Sequence, residues 1–106
     1  MIAIIDYDMG NLRSIAKALE HVGGTVIVTR DPETIARAEK IVLPGVGAFR
    51  DGISHLETEG RKEALNREVR ENKKPLLGIC LGMQLLADKS YEFGAWEGLG
   101  YIHGEV

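Results

Sequence analysis

Cysteine is almost missing from this chain: 106 residues contain one, Cys80. A lone thiol closes no internal disulfide, which excludes the disulfide-stapled secreted scaffolds and fits a reducing, cytoplasmic setting. Long apolar runs are missing as well. The N-terminal run Ile2–Ile5 is far shorter than the roughly 20 residues that span a bilayer, and no basic segment precedes it as in a secretory leader. Charge is nowhere concentrated. Thirteen Lys and Arg stand against sixteen Asp and Glu, giving a net charge of −3, and the two signs alternate along the chain. That leaves no electrostatic case for nucleic acid or an anionic membrane as partner. No internal repeat and no low-complexity tract is present, and nothing calls for a metal or cofactor. The length suits one small domain and leaves no room for two.

What the chain does have is a stretch around that cysteine, Leu76-Leu77-Gly78-Ile79-Cys80-Leu81-Gly82-Met83-Gln84. Apolar residues lead into Cys80, a glycine lies two positions to each side, and Leu85-Leu86-Ala87 follows. The pattern predicts a buried strand, a sharp turn and a helix, with Cys80 at the apex. Gly-x-Cys-x-Gly has the shape of a nucleophile elbow with sulfur in place of a hydroxyl. A turn this tight brings two backbones together, and a Cβ at Gly78 or Gly82 would crowd it. At the first turn of a helix, unpaired N–H groups and the dipole favour a thiolate, the reactive form, and should lower the thiol pKa. An isolated cysteine is more often a small buried apolar residue; both glycines and the strand-to-helix context favour the nucleophile here.

The rest of the chain builds the frame. Ile2–Ile5 reads as a strand buried on both faces, as in a parallel sheet covered by helices. The loop Tyr7–Asn11 follows, and Asn11 caps a helix whose apolar face is Leu12, Ile15, Ala16 and Leu19. Gly23-Gly24 stops it. Thr25–Thr29 is a β-branched second strand. Asp31-Pro32-Glu33 opens a short helix, and Lys40–Leu43 is a third strand running into the glycine loop Pro44-Gly45-Val46-Gly47-Ala48-Phe49. Residues 50–56 and 59–70 read as helices broken near Thr58 and Gly60, the second with a charge run expected to be a solvated face. Leu76–Ile79 is the fourth strand. Residues 88–100 read as loop and 101–106 as the start of a strand. The alternation predicts a doubly wound α/β fold, a mainly parallel sheet with helices on both faces. Ligands in such sheets bind at the carboxyl ends of the strands, which here carry Tyr7–Asn11, Pro44–Phe49 and the Cys80 elbow.

A thiolate beside a glycine loop suggests acyl transfer. The tetrahedral oxyanion that forms needs preorganised N–H donors, each worth about 3–4 kcal/mol of barrier. The Leu81 N–H, next to the nucleophile, is one natural donor, and the N–H of Val46 or Gly47 is the second. Pro44–Gly47 could equally be a plain turn between strand and helix; its pairing with the elbow favours half of an oxyanion hole.

The elbow Gly78–Gln84 resembles that of the class I, triad-type glutamine amidotransferases. Asp6–Ser14 and Pro44–Phe49 resemble the corresponding segments of the glutaminase subunit of imidazole glycerol phosphate synthase, and the likeness runs over essentially the whole chain. The resemblance implies a flavodoxin-like amidotransferase fold, with residues 1–106 the N-terminal part of a single domain. It implies that Cys80 attacks the side-chain amide of glutamine, passing through a γ-glutamyl thioester to glutamate and ammonia, with the ammonia passed to a (β/α)₈ cyclase partner. It places the oxyanion hole at Val46, Gly47 and Leu81, sometimes only after a peptide in the glycine loop turns over. Substrate binding falls to Gly45 and Gln84, and to Glu92 at the α-ammonium, while the Asn11 region faces the cyclase. Asp8 stands where the family usually has glycine, a substitution tolerable because Asp accepts left-handed backbone.

The family's histidine base, and the glutamate two residues beyond it, belong to the second half of the fold, and the chain ends before that half. His103 and Glu105 imitate the spacing, but Gly98–Val106 matches a family segment upstream of the real pair. His21 closes a helix and His55 is expected in solvent. A glutaminase without its base should be close to inactive, because proton transfer is worth about 10²–10⁴-fold. Two other readings fit parts of the pattern: a DJ-1/PfpI-like cysteine protein acting on aldehydes or sensing oxidants, and a non-catalytic fragment that docks to a partner.

Overall fold

A computed structural model describes all 106 residues. Its centre is a four-stranded, wholly parallel sheet in the order β2-β1-β3-β4, built from β1 (Ile2–Ile5), β2 (Val26–Thr29), β3 (Lys40–Leu43) and β4 (Leu76–Gly78). The connections carry α1 (Leu12–His21), α2 (Pro32–Arg37), α3 (Phe49–Glu57) and α4 (Arg61–Asn66), and α5 (Leu81–Leu85) follows β4. The doubly wound α/β expectation therefore holds. The helix starts follow the sequence signals. The Asn11 side chain accepts from Ser14 N–H, and Asp31 accepts from Glu33 N–H with Pro32 at the first helical position.

Strand alternation divides the apolar residues between two layers. Ile5, Ile41 and Leu43 point into the main core, where they meet Ile35, Phe49, Leu56, Leu65, Leu81 and Leu85 from α2 to α5. The opposite face carries α1, which buries no residue fully. Beyond α1 that face is an apolar groove of about 240 Å³, bordered by Ile2, Leu19, Val42, Pro75 and Leu77. No helix of the fold is long and apolar enough to cross a membrane.

Three local expectations are corrected. Residues 88–100 are not plain loop. Lys89–Ser90 (β5) and Trp96–Glu97 (β6) pair antiparallel, with the tip turning through Phe93 and Gly94 at positive φ. Residues 101–106 form no strand; one isolated bridge joins Lys89 to Glu105. The charge run of α4 is not wholly solvated either. Arg61 and Glu68 are 1% and 2% exposed. Arg61 donates to the backbone carbonyls of Asp6 (3.1 Å) and His55 (2.8 Å) and to the Thr58 hydroxyl, tying the end of β1 to the end of α3. Its Nε has no partner. Glu68 sits in a π-helical turn, Arg67–Glu71, that prolongs α4. It accepts from Lys74 Nζ at 2.7 Å, and from Arg67 Nε and Asn72 Nδ2 at 2.9 Å. A buried carboxylate is tolerable only when its lone pairs are filled in this way.

Candidate active site

The elbow forms because β4 stays in register with β3 until the chain turns. Ile79 N–H donates to Leu43 O at 2.9 Å. Cys80 then takes φ 53°, ψ −119°, a posture costly for a residue with a Cβ. It leaves the thiol exposed at the carboxyl end of the sheet. The flanking glycines are sterically required. A Cβ on Gly78 would lie 2.8 Å from Met83 Cα, and one on Gly82 would collide with the Leu43 carbonyl oxygen. The helix after the cysteine is shorter than expected, five residues. Its first amides are not unpaired as expected either: Leu81 N–H donates to Gly45 O at 3.1 Å and Gly82 N–H to Ile79 O at 2.9 Å.

The glycine loop is pressed against this corner. Tyr7, buried in the loop after β1, donates its hydroxyl to Pro44 O. Burial raises the phenol pKa further above its ordinary value, so the hydroxyl remains a donor. A Cβ on Gly45 would strike that hydroxyl and stand 3.1 Å from Leu81 Cβ. Gly47 has φ 122°, which favours glycine. Val46 is 61% exposed. The structure thus sets Gly45 against Leu81 and Gly82 of the elbow, with Val46 and Gly47 next along the loop, and the Gly45 carbonyl rests on the Leu81 amide expected to face a substrate oxyanion.

Gln84 is exposed on α5, in the turn after the cysteine. Glu92 comes from the β5–β6 hairpin. Its Oε1 accepts from Phe49 N–H at 3.2 Å, and its own N–H donates to the buried Ser90 hydroxyl at 3.2 Å. The carboxylate is therefore held at the exit of the glycine loop. Tyr7 and Ser90, which position the glycine loop and the hairpin, had no motif to announce them; only the placement of Tyr7 at a strand's carboxyl end hinted at it.

Asp8 has φ 67°, the left-handed backbone expected of it, and is bonded by Arg30 at 2.7 Å. That hydrogen bond is the first cause holding its carboxyl below the usual carboxylate range. His55 Nδ1 stands 3.8 Å from Asp8 Oδ2 and His103 Nδ1 3.3 Å from Asp88 Oδ2. Glu105 accepts instead from Tyr91, so His103 and Glu105 do not act as a pair. No group of His, Cys, Asp and Glu side chains is arranged to hold a metal ion.

Residues 3–95 match the family model described as Glutamine amidotransferase class-I. The chain is 50% identical over 106 residues to the imidazole glycerol phosphate synthase subunit HisH 1 of Campylobacter jejuni, covering all of this chain and 53% of that protein. It is 57% identical over 105 residues to subunit HisH of Geobacter sulfurreducens, covering 99% of this chain and 50% of that protein. The chain thus spans about half the length of the curated relatives it matches. A crystal structure of a glutamine amidotransferase superposes with a TM-score of 0.82 at 20% identity, over 99% of this chain and 55% of that one, a likeness of fold. With an exposed cysteine at a strand-to-helix corner, a glycine loop bonded to it, and a family match over nearly its whole length, this chain belongs to the class I glutamine amidotransferases.

Proposed function

We propose that this chain is the nucleophile-bearing part of a glutaminase that serves imidazole glycerol phosphate synthase in histidine biosynthesis. The observation that carries the reading is the hydrogen bond from Leu81 N–H to Gly45 O at 3.1 Å, directly beside the exposed Cys80. It supports the reading because an oxyanion bound by the Leu81 N–H would take the position of the Gly45 carbonyl oxygen. Turning that one peptide over removes the Gly45 carbonyl and offers the Val46 N–H beside the freed Leu81 N–H. Two donors then face the oxygen of a carboxamide under attack.

In this reading the Cys80 sulfur bonds to the glutamine side-chain carbonyl carbon. The C–N bond then breaks, the nitrogen takes a proton and leaves as ammonia, and a γ-glutamyl thioester remains. Water hydrolyses the thioester, returning the thiol and releasing glutamate. The proton carrier is a histidine in the part of the fold that the relatives possess beyond this length. Residues 1–106 are then the N-terminal part of one amidotransferase domain, and the chain alone turns over poorly. Gln84 contacts the substrate glutamine and Glu92 its α-ammonium, while the surface near Asn11 meets a (β/α)₈ cyclase that receives the ammonia. The single unpaired cysteine suits the cytoplasm.

Incubation with the diazoketone analogue of glutamine, followed by peptide mass spectrometry, tests this. Selective alkylation of Cys80 that free glutamine suppresses and Cys80→Ser abolishes is the expected result. Ready oxidation of Cys80 with no selective alkylation would instead favour a DJ-1/PfpI-like sensor, and labelled Cys80 with no ammonia release in the cyclase complex a docking fragment.

A further inference from the structure

Tyr7 reaches the glycine loop from the neighbouring strand, and the proposed chemistry at Cys80 gives its hydroxyl no task. Its mount is rigid. The preceding residue, Asp6, donates its N–H to Thr29 O at 2.9 Å, and its carbonyl accepts from the buried Arg61 at 3.1 Å. The Tyr7 ring lies wholly inside the main core, and the hydroxyl ends on Pro44 O. Burial keeps the phenol protonated, so this bond does not release as pH rises toward the ordinary tyrosine value. The rest of the Tyr7–Asn11 loop follows the glycine loop closely. A Cβ on Gly10 would stand 3.2 Å from Gly45 Cα, and one on Gly47 would stand 2.8 Å from Met9 Cε.

The glycine loop is thus held at both ends and free between. Upstream, the Pro44 ring fixes φ and the Tyr7 hydroxyl fixes the carbonyl, so neither Pro44 torsion turns alone. Downstream, Ala48 O accepts from Gly52 N–H at 3.1 Å, and Glu92 Oε1 accepts from Phe49 N–H at 3.2 Å. Between these holds, Gly45, Val46 and Gly47 make one hydrogen bond, from Leu81 N–H to Gly45 O. Turning over a single peptide needs opposed rotations about ψ of Gly45 and φ of Val46, and both lie just past the held Pro44–Gly45 peptide. Without the hydroxyl, ψ of Pro44 is freed as well and a buried carbonyl loses its donor. The loop then spreads over several arrangements, only some of which offer the Val46 N–H.

We infer that Tyr7 is a positioning residue of the amide-cleaving site: its hydroxyl anchors Pro44, so that movement of the loop is confined to the Gly45–Val46 peptide and brings the Val46 N–H to the oxyanion. This rests on the glutaminase reading above. Tyr7 touches no substrate and moves no proton.

The test follows Cys80 alkylation by the diazoketone analogue of glutamine in the protein, in Tyr7→Phe and in Tyr7→Leu. The Cys80 sulfur bonds to the diazo-bearing carbon, that carbon gains the thiol proton and dinitrogen leaves, while the adjacent ketone oxygen stands in for the amide oxygen. Tyr7→Phe keeps the ring and loses only the hydroxyl. Its limiting rate at saturating reagent should fall about tenfold, the size of one buried hydrogen bond. The half-saturating concentration and the rate with iodoacetamide should match the parent's. Hydrogen exchange should quicken at the Leu81 amide and not at Ile4 or Val42 in the sheet. Tyr7→Leu should lower the limiting rate as far and also lower the melting temperature, because it empties core volume. A limiting rate in Tyr7→Phe equal to the parent's, or exchange that quickens equally across the sheet, makes Tyr7 a packing residue and overturns the inference while the glutaminase reading stands. Absence of selective Cys80 labelling in the unsubstituted protein overturns both.

Discussion

The carbonyl oxygen of Gly45 accepts the Leu81 N–H at 3.1 Å, joining two loops that leave neighbouring parallel strands. On the glutaminase reading proposed above, the bond closes the site in a resting form, because the donor is already satisfied. Hydrogen exchange should therefore find the Leu81 amide protected and the Val46 amide, on a residue 61% exposed, fast. Alkylation of Cys80 by the diazoketone should raise exchange at the first or slow it at the second, by about tenfold or more for a bond of ordinary strength. Identical exchange before and after labelling would show that the peptide does not turn.

The strain at Cys80 has a thermodynamic signature. Its φ of 53° with ψ −119° suits glycine and costs a side-chain-bearing residue about 1–3 kcal/mol. Cys80→Gly should raise stability in urea unfolding by about 1 kcal/mol while abolishing alkylation. Cys80→Ala, which keeps the Cβ, should not stabilise. A Gly variant less stable than the Ala variant would argue that the posture is relaxed.

Gly82 separates steric need from chemistry. A Cβ there would overlap the Leu43 carbonyl oxygen and stand 2.8 Å from Pro44 O, both backbone atoms that cannot swing aside. Gly82→Ala should cost about 1–3 kcal/mol or more by overpacking. It should also slow labelling of Cys80, because the elbow and the glycine loop are forced apart. Unchanged melting would show the corner to be looser than its geometry.

Glu68 makes stability depend on acid. The Lys74 ammonium, helped by Arg67 and Asn72 and opposed by burial, holds its pKa down to about 2 from an ordinary 4.5. A depressed carboxyl pKa stabilises the fold above the unfolded value and ceases to as pH falls through the folded one. Stability should therefore decline between about pH 4.5 and 2, and Glu68→Gln should flatten the decline in that window. Glu68→Ala strips Lys74 of its buried partner and should cost about 3–5 kcal/mol at neutral pH. A urea midpoint with the same acid dependence in Glu68→Gln as in the parent would remove Glu68 as the cause.

The amino-acid sequence by itself determined the order of strands and helices, the elbow and the glycine loop. Each of these is local chemistry. β-branched and apolar runs make strands, Asn11 and Asp31 satisfy amides a few residues on, and Gly78 and Gly82 allow a turn that a Cβ would forbid. Local signals are weak in the hairpin: Lys89–Ser90 and Trp96–Glu97 pair across a tip whose Phe93 is no ordinary turn residue. Only the tertiary structure decided that the Leu81 amide is occupied, that Tyr7 holds Pro44 across 37 residues, and that Glu92 reaches Phe49 across 43. It also decided that Arg61 and Glu68, ordinary surface residues by pattern, are buried. The reason is physical. A charged side chain enters a core only when distant chain supplies its partners, and no periodicity along the sequence records where distant chain will be.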